Sequence, residues 1–172
     1  MESKFMPEFH VRVAGDDLAF SAGHFITLED GSCERLHGHT YRVAVEVFGP
    51  LDASECVVDF VAVHQATKSI VGELDHRMLL PTKHPVIRVE SRSGEVEARF
   101  GERRWLFPAG DCLLLPMANT TTERLAEYIG RRLLDALHPQ VIDRLRVEVS
   151  EGAAYSAVCT LHSPLSTNHE RP

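Results

Sequence analysis

The sequence lacks the features that would place a protein in a membrane, on nucleic acid or in an oxidising compartment. No apolar run in its 172 residues approaches the roughly 20 residues that cross a bilayer, and MESKFMPEFH at the start has no signal-peptide core. The formal net charge of −7 offers no basic surface for nucleic acid. The four cysteines are scattered without a CxxC pair. We therefore expect a cytoplasmic protein with free thiols.

The composition is that of a globular protein, with 44% hydrophobic and 25% charged residues, and its length predicts a single domain over 1–172. Alternating apolar residues predict two long strands, FHVRVAGDDLAFSAGH with a bulge or turn at AGDD, and LHGHTYRVAVEVFG. The alternating runs LRVEVSE and AAYSAVCTLH predict a hairpin near the C-terminus.

Helical periodicity marks two further segments. VAVHQATKSIVGEL follows Asp59 as a helix N-cap, and TTTERLAEYIGRRLLDAL carries a Thr120-x-x-Glu123 capping box. Paired strands with two helices predict an α+β fold, an antiparallel sheet with both helices on one face. Between the helices, residues from about 82 to 118 contain three turn signals, SRSG, FGER and PAGD. They predict a β-rich insertion rather than a second domain.

A histidine pair stands in the second predicted strand. His37 and His39 are two residues apart, so both imidazoles leave one face, and Gly38 lets another backbone approach closely. Antiparallel pairing could place His24 opposite them. Three neutral imidazoles with an open fourth position are typical of catalytic zinc. HxH pairs also occur as exposed polar residues of a sheet, and Cys33 is an alternative fourth ligand that would close a structural site.

Six short motifs follow one another along the chain: FSAGH, CERLHGHTY, VVDF, LDHR, NTTTE and VEVSE. In this order they resemble the 6-pyruvoyltetrahydropterin synthase family, which includes the 6-carboxytetrahydropterin synthases of the queuosine pathway. The resemblance implies the tunnelling fold, in which subunits join their sheets into an oligomeric barrel. It also implies active sites between subunits and a hexamer built from two trimers. The insertion at 82–118 lies outside the resemblance.

The resemblance also implies roles for individual residues. The zinc ligands that it implies are His24, His37 and His39. The catalytic residues are Cys33 as the base and the acid/base pair Asp75 and His76. The substrate-binding residues are Glu151, which anchors the pterin ring, and Thr121 and Thr122, in the loop that seats it. The implied substrate is a small molecule, 7,8-dihydroneopterin triphosphate, with Zn²⁺ as the Lewis acid.

Two alternative bases stand side by side in CERLHGH. Cys33 gives the CxxxHGH pattern of the branches that make 6-pyruvoyltetrahydropterin, for tetrahydrobiopterin biosynthesis, or 6-carboxytetrahydropterin, for queuosine biosynthesis. Glu34 gives the ExxHGH pattern of the branch that makes the folate precursor 6-hydroxymethyl-dihydropterin. The intact CxRLHGH string favours a zinc-dependent lyase of the queuosine type. Glu34 is either a second base or a solvent-exposed charge.

Departures from the family pattern leave other functions open. Gly152 follows Glu151 where a hydroxyl residue is expected as a further pterin contact. The insertion could be a lid, a rim or an oligomer contact, so a non-catalytic zinc-binding barrel or another metal-dependent hydrolase remains an alternative. Arginines are expected to hold the triphosphate, and the candidates are Arg35, Arg77 and Arg88.

Overall fold

The computed structural model describes residues 7–137 and 142–163, which form nine strands and two α-helices. The strands are β1 (His10–His24), β2 (His37–Phe48), β3 (Arg77–Pro81), β4 (Arg88–Arg92), β5 (Glu95–Phe100), β6 (Arg103–Pro108), β7 (Cys112–Leu115), β8 (Arg144–Glu151) and β9 (Tyr155–His162). The helices are α1 (Phe60–Leu74) and α2 (Thr122–Leu137), with a 3₁₀ turn at Ala109–Asp111. No helix among these described residues is long and apolar enough to cross a membrane.

The main sheet has six strands in the order β7-β3-β1-β2-β8-β9. Four of these six strands, β1, β2, β8 and β9, are antiparallel neighbours, as predicted. Of these, β8 and β9 form the predicted hairpin. The structure adds β3 and β7, which the sequence did not identify as members of this sheet and which pair in parallel. The parallel pairing follows from topology, because α1 carries the chain over the sheet before β3 returns beside β1.

The predicted irregularity at AGDD is a bulge within one continuous strand. Ala14 pairs with Ala44 and Ala19 with Arg42, so the four intervening residues of β1 oppose a single residue of β2. From Leu18, the last residue of the bulge, the alternation resumes, with Leu18 and Phe20 buried. The bulge thereby keeps the apolar side chains of both halves of β1 on the core side.

Both helices pack on one face of the sheet and enclose the main core, which confirms the predicted tunnelling-fold layering. The Asp59 side chain caps α1 by accepting from the Val61 amide at 2.8 Å. The capping box predicted at Thr120 is wrong by one residue. The carbonyl of Thr121 accepts the first helical bond of α2, from the Leu125 amide, whereas Thr120 is fully buried. Thr120 is instead part of the candidate site.

The insertion at 82–118 is β-rich, as predicted. Its strands β4, β5 and β6 form a separate antiparallel sheet, and β7 then joins the main sheet. A second apolar cluster lies between this small sheet and the end of β1. It consists of Phe25, Met78, Leu80, Ile87, Val96 and Ala98, with Cys33, Trp105 and Phe107 among the residues packed against it.

Candidate metal centre and active site

The three histidines meet at the end of the β1–β2 pair. His24 lies directly opposite His37, and Ala22 lies opposite His39. One ligand atom from each imidazole lies within 4.8 Å of the others. The prediction that strand pairing brings His24 to the HxH pair is therefore confirmed by the register.

Gly38 is the residue that allows this close approach of the strands. A Cβ at this position would lie 3.0 Å from the backbone carbonyl oxygen of Ala22, which is tighter than an ordinary van der Waals contact. Both atoms belong to paired strands, so neither moves aside easily. The HxH motif therefore needs its central glycine for packing.

We expect Gly38→Ala to destabilise the fold by about 1–3 kcal/mol through overpacking, and to disturb the histidines on either side. Thermal unfolding and metal titration of the purified variant would measure both effects. Gly72→Ala is the matched control, because a Cβ on this exposed residue of α1 meets nothing within 4 Å and should stabilise the helix slightly. Equal melting temperatures for Gly38→Ala and the unaltered protein would contradict the packing argument.

His24 is buried, with 2% of its surface exposed, and it is held at both ring nitrogens. Its Nδ1 lies 2.9 Å from the Thr120 carbonyl oxygen, and its Nε2 lies 3.2 Å from the Tyr41 hydroxyl. Since a carbonyl only accepts, Nδ1 carries the proton and Nε2 is left as an acceptor or ligand. Burial lowers the pKa of His24, so the imidazole stays neutral, as metal binding requires.

His37 is oriented in the same way. Its Nδ1 donates to the Arg35 carbonyl oxygen at 2.8 Å, so its Nε2 is also free to coordinate. A backbone carbonyl behind a ligating imidazole is the usual way of fixing its tautomer and direction. The donor set fits an ion that prefers imidazole nitrogen, such as zinc.

Two carboxylates flank the histidine cluster. An oxygen of Glu34 lies 3.9 Å from His37 Nε2, and an oxygen of Glu151 lies 3.9 Å from His39 Nε2. The other oxygen of Glu151 accepts a short hydrogen bond from the Thr122 hydroxyl. The predicted pterin anchor, one of the predicted threonines and a candidate metal ligand are thus neighbours.

Tyr41 is a residue of the candidate site that the sequence reasoning did not single out. It is fully buried, lies opposite Glu151 in the sheet and contacts His24 through its hydroxyl. Burial, reinforced by the Glu151 charge, raises the pKa of Tyr41 well above its usual range, so the hydroxyl remains a donor. The available signal was position, since Tyr41 continues the alternation of His37 and His39 along β2.

Cys33 and Glu34 lie in a tight hairpin between β1 and β2. The Cys33 thiol is half-buried among the residues of the second apolar cluster and lies 3.5 Å from the Glu34 carbonyl oxygen. Burial raises the pKa of this thiol, whereas the Arg103 guanidinium opposes that shift. The Glu34 carboxylate lies 3.9 Å from His37 Nε2, whereas among the described residues no hydrogen bond joins the Cys33 thiol to the histidine cluster.

Asp75 and His76 form the predicted pair at the C-terminal end of α1. One Asp75 oxygen accepts from the Ser21 amide at 2.7 Å, and the other lies 2.8 Å from His76 Nδ1. The Ser21 amide is the main reason why the pKa of Asp75 is lowered. His76 adopts φ = 55° and its side chain is 83% exposed. Among the described residues, no hydrogen bond or ion pair joins this pair to Cys33, Glu34 or the histidine cluster.

An open groove of about 670 Å³ crosses β1 and β2 at these positions. It is bounded by His37 and His39, by His76 and Arg77, and on the insertion side by Phe107 and Asp111. Of the three predicted triphosphate contacts, Arg77 lines this groove. Arg88 lies instead in a charged concavity on the small sheet, and Arg35 contributes its carbonyl to His37.

Comparison with known proteins agrees with this architecture. The model of the family described as 6-pyruvoyl tetrahydropterin synthase matches residues 16–162. A relative in Methanocaldococcus jannaschii, provisionally named 6-carboxy-5,6,7,8-tetrahydropterin synthase, is 31% identical over 81% of this chain and 88% of its own. The Aquifex aeolicus protein with that name is 27% identical over 73% and 75%, respectively. The structure of Plasmodium falciparum 6-pyruvoyl tetrahydropterin synthase superposes with a TM-score of 0.85 at 26% identity, covering 91% of this chain and 99% of its own.

Proposed function

Because the chain belongs to the 6-pyruvoyl tetrahydropterin synthase family, we propose that it is a zinc-dependent lyase acting on 7,8-dihydroneopterin triphosphate. The product that we propose is 6-carboxytetrahydropterin, the product after which its curated relatives are named. The carrying observation is that three imidazoles converge within 4.8 Å, with Glu151 3.9 Å from one of them. This arrangement supports a metal site next to a carboxylate that could hold a pterin.

Zinc would be held by His24, His37 and His39. When bound, it supplies a Lewis acid for the side-chain oxygens of the substrate and a positive charge that favours ionised groups nearby. The Thr120 and Arg35 carbonyls aim the rings of His24 and His37. The un-ionised Tyr41 hydroxyl donates to the lone pair of His24 Nε2 that zinc would take, so this hydrogen bond would be given up when the metal binds.

The pterin ring would be anchored by Glu151. An ionised carboxylate can accept two N–H bonds from the guanidine-like edge of a pterin, a charge-assisted pairing that is stronger than neutral hydrogen bonds. Thr122 donates to one oxygen of Glu151 and so fixes the orientation of the carboxylate. Thr121 caps α2 and thereby holds Thr122 in place.

Proton transfer would use Cys33 with Asp75 and His76. Asp75 accepts from the Ser21 amide and orients His76 through Nδ1, which leaves the exposed Nε2 to take or give a proton. Since no contact joins this pair to Cys33 among the described residues of one chain, we propose that they meet across a subunit interface. This requires an oligomer, and the assembly that we propose is the hexamer of two trimers that the family resemblance implies. We also propose that the enzyme is cytoplasmic.

Glu34 supports a second candidate function. Its carboxylate lies 3.9 Å from His37 Nε2, whereas the Cys33 thiol packs against the second apolar cluster. A carboxylate in this place is suited to abstract a proton from a substrate held at the metal. The second candidate is therefore side-chain cleavage to 6-hydroxymethyl-dihydropterin with Glu34 as the base.

Product identification tests the proposal. Zinc-loaded protein incubated with 7,8-dihydroneopterin triphosphate is expected to yield 6-carboxytetrahydropterin, detected by mass spectrometry. Glu151→Gln should raise KM by roughly tenfold or more, since it loses a charge-assisted bidentate contact. Glu148→Gln is the matched control, because Glu148 points to the other face of β8. A 6-hydroxymethyl product would favour the second candidate, and no product from folded, zinc-bound protein would refute both.

A further inference from the structure

The hairpin at residues 26–34 carries both candidate bases and has few bonds of its own. Cys33 pairs with Thr27 as an isolated bridge. The Glu34 amide donates to the Ile26 carbonyl at 2.9 Å, and the Leu28 amide donates to the Ser32 carbonyl at 2.8 Å. A two-stranded hairpin of this size is marginally stable by itself in water. Its conformation must therefore be maintained by contacts from elsewhere in the chain.

Arg103, in strand β6 of the insertion, holds the side of the hairpin that carries the bases. Its Nη1 donates to the Cys33 carbonyl oxygen at 2.7 Å, and its Nη2 donates to the Glu34 carbonyl oxygen at 2.8 Å. One planar guanidinium thus fixes two consecutive carbonyls. This sets the direction of the backbone from which both side chains project.

His84 of the insertion and Asn119, which directly follows the insertion, hold the other side of the hairpin, at Thr27. The Asn119 side chain donates to the Thr27 carbonyl at 3.0 Å and accepts from its amide at 3.3 Å. His84 Nδ1 accepts from the Val86 and Ile87 amides, so His84 Nε2 carries the proton and donates to the Thr27 hydroxyl at 2.8 Å. The hairpin is therefore bound on both strands.

The guanidinium of Arg103 is itself held in place by an aromatic stack. It lies 4.6 Å from the ring centroid of Trp105, and Trp105 stacks on Phe25 with centroids 4.3 Å apart. Phe25 is fully buried and directly follows His24. The stack thus connects the insertion to the residue that follows a candidate metal ligand. Because Trp105 packs against the guanidinium, the Arg103 side chain is held in the position from which it binds the hairpin.

We infer that the insertion holds the hairpin at residues 26–34 in its conformation, and we call these contacts the clasp. Within it, Arg103 is a positioning residue for Cys33 and Glu34. Its action is on the backbone, because its hydrogen bonds go to carbonyl oxygens. The consequence for turnover rests on the proposed function, whereas the ordering of the hairpin does not. The insertion shapes the site through this clasp as well as by lining the groove.

Hydrogen exchange on the full-length protein tests the ordering. In Arg103→Met the amides of Leu28 and Glu34 should exchange roughly tenfold or more faster, because the loss of two charged hydrogen bonds makes local opening easier. Arg103→Lys keeps the charge and the stem but can bind one carbonyl at a time, and should be intermediate. Arg104→Met is the matched control, since the Arg104 side chain pairs with Glu97 instead.

Faster exchange confined to the hairpin supports the clasp. Unchanged exchange in Arg103→Met overturns it, as does acceleration spread evenly over the sheet, and Arg103→Lys decides the question if Arg103→Met does not fold. Turnover is the second readout, with kcat lowered, KM for the pterin retained and zinc content unchanged. A change in exchange in a protein that converts no pterin would uphold the clasp and reject the proposed function.

Discussion

Replacing Cys33 by alanine is expected to lower kcat by about 10²- to 10⁴-fold, the usual contribution of a positioned acid/base group. Zinc content should not change, because the cluster of potential metal ligands contains the three histidines and not the thiol. Cys33 is only half-buried, so the loss of stability should be small. Steady-state kinetics with metal analysis of the same preparation measures these quantities together.

Glu34→Gln is the control that makes this result decisive. It keeps the size of the side chain and removes the charge 3.9 Å from His37 Nε2. If Glu34→Gln is inactive while Cys33→Ala retains its rate, the glutamate is the base and the proposed assignment is wrong.

Mixed oligomers add a further check. Inactive Cys33→Ala and His76→Ala subunits should regain activity together if the two groups meet across an interface.

Loss of the metal is the second large effect that we predict. Replacing His37 and replacing His24 should both weaken zinc binding but should differ in their cost to stability. We expect His37→Ala to reduce zinc affinity by several orders of magnitude, since two imidazoles are a poor zinc site. The cost in stability should be modest, because 37% of the His37 side chain is exposed. Metal titration and thermal unfolding of the metal-free protein measure the two quantities separately.

His24→Ala should lose the metal and also destabilise the metal-free fold. Its removal leaves the Thr120 carbonyl without its partner in a buried site, at about 1–3 kcal/mol, whereas the Tyr41 hydroxyl keeps Glu151 as a hydrogen-bond partner. His64→Ala is the control, because His64 lies on α1 and pairs with Asp17. Full zinc binding by His37→Ala or by His24→Ala would refute the metal site.

The sequence was most informative where a pattern is strictly local. Alternation along β1 and β2 predicted the faces of both strands and the meeting of His24 with His37, since period two fixes the direction of each side chain. The capping box failed by one residue because Thr120 serves the buried site rather than the helix end. Local pattern cannot distinguish neighbouring threonines whose partners lie elsewhere in the chain.

Contacts between distant segments were beyond sequence reasoning. The sequence left open whether Glu34 is a second base or a solvent-exposed charge, and only the folded hairpin shows that its carboxylate approaches His37 while the Cys33 thiol packs inward. Arg103 lies about 70 residues away in an insertion without a recognisable motif. Its hydrogen bonds go to backbone carbonyls, which every residue has, so no residue type in the hairpin marks the contact.

The stack of Arg103, Trp105 and Phe25 provides a spectroscopic probe. Trp105 is the sole tryptophan of the chain, so the intrinsic emission excited at the red edge of protein absorbance comes from this one indole. Its ring lies between a guanidinium and a phenyl ring, and both neighbours belong to the contact between insertion and hairpin. A ligand or mutation that alters this contact can therefore be followed by the fluorescence of the unlabelled protein.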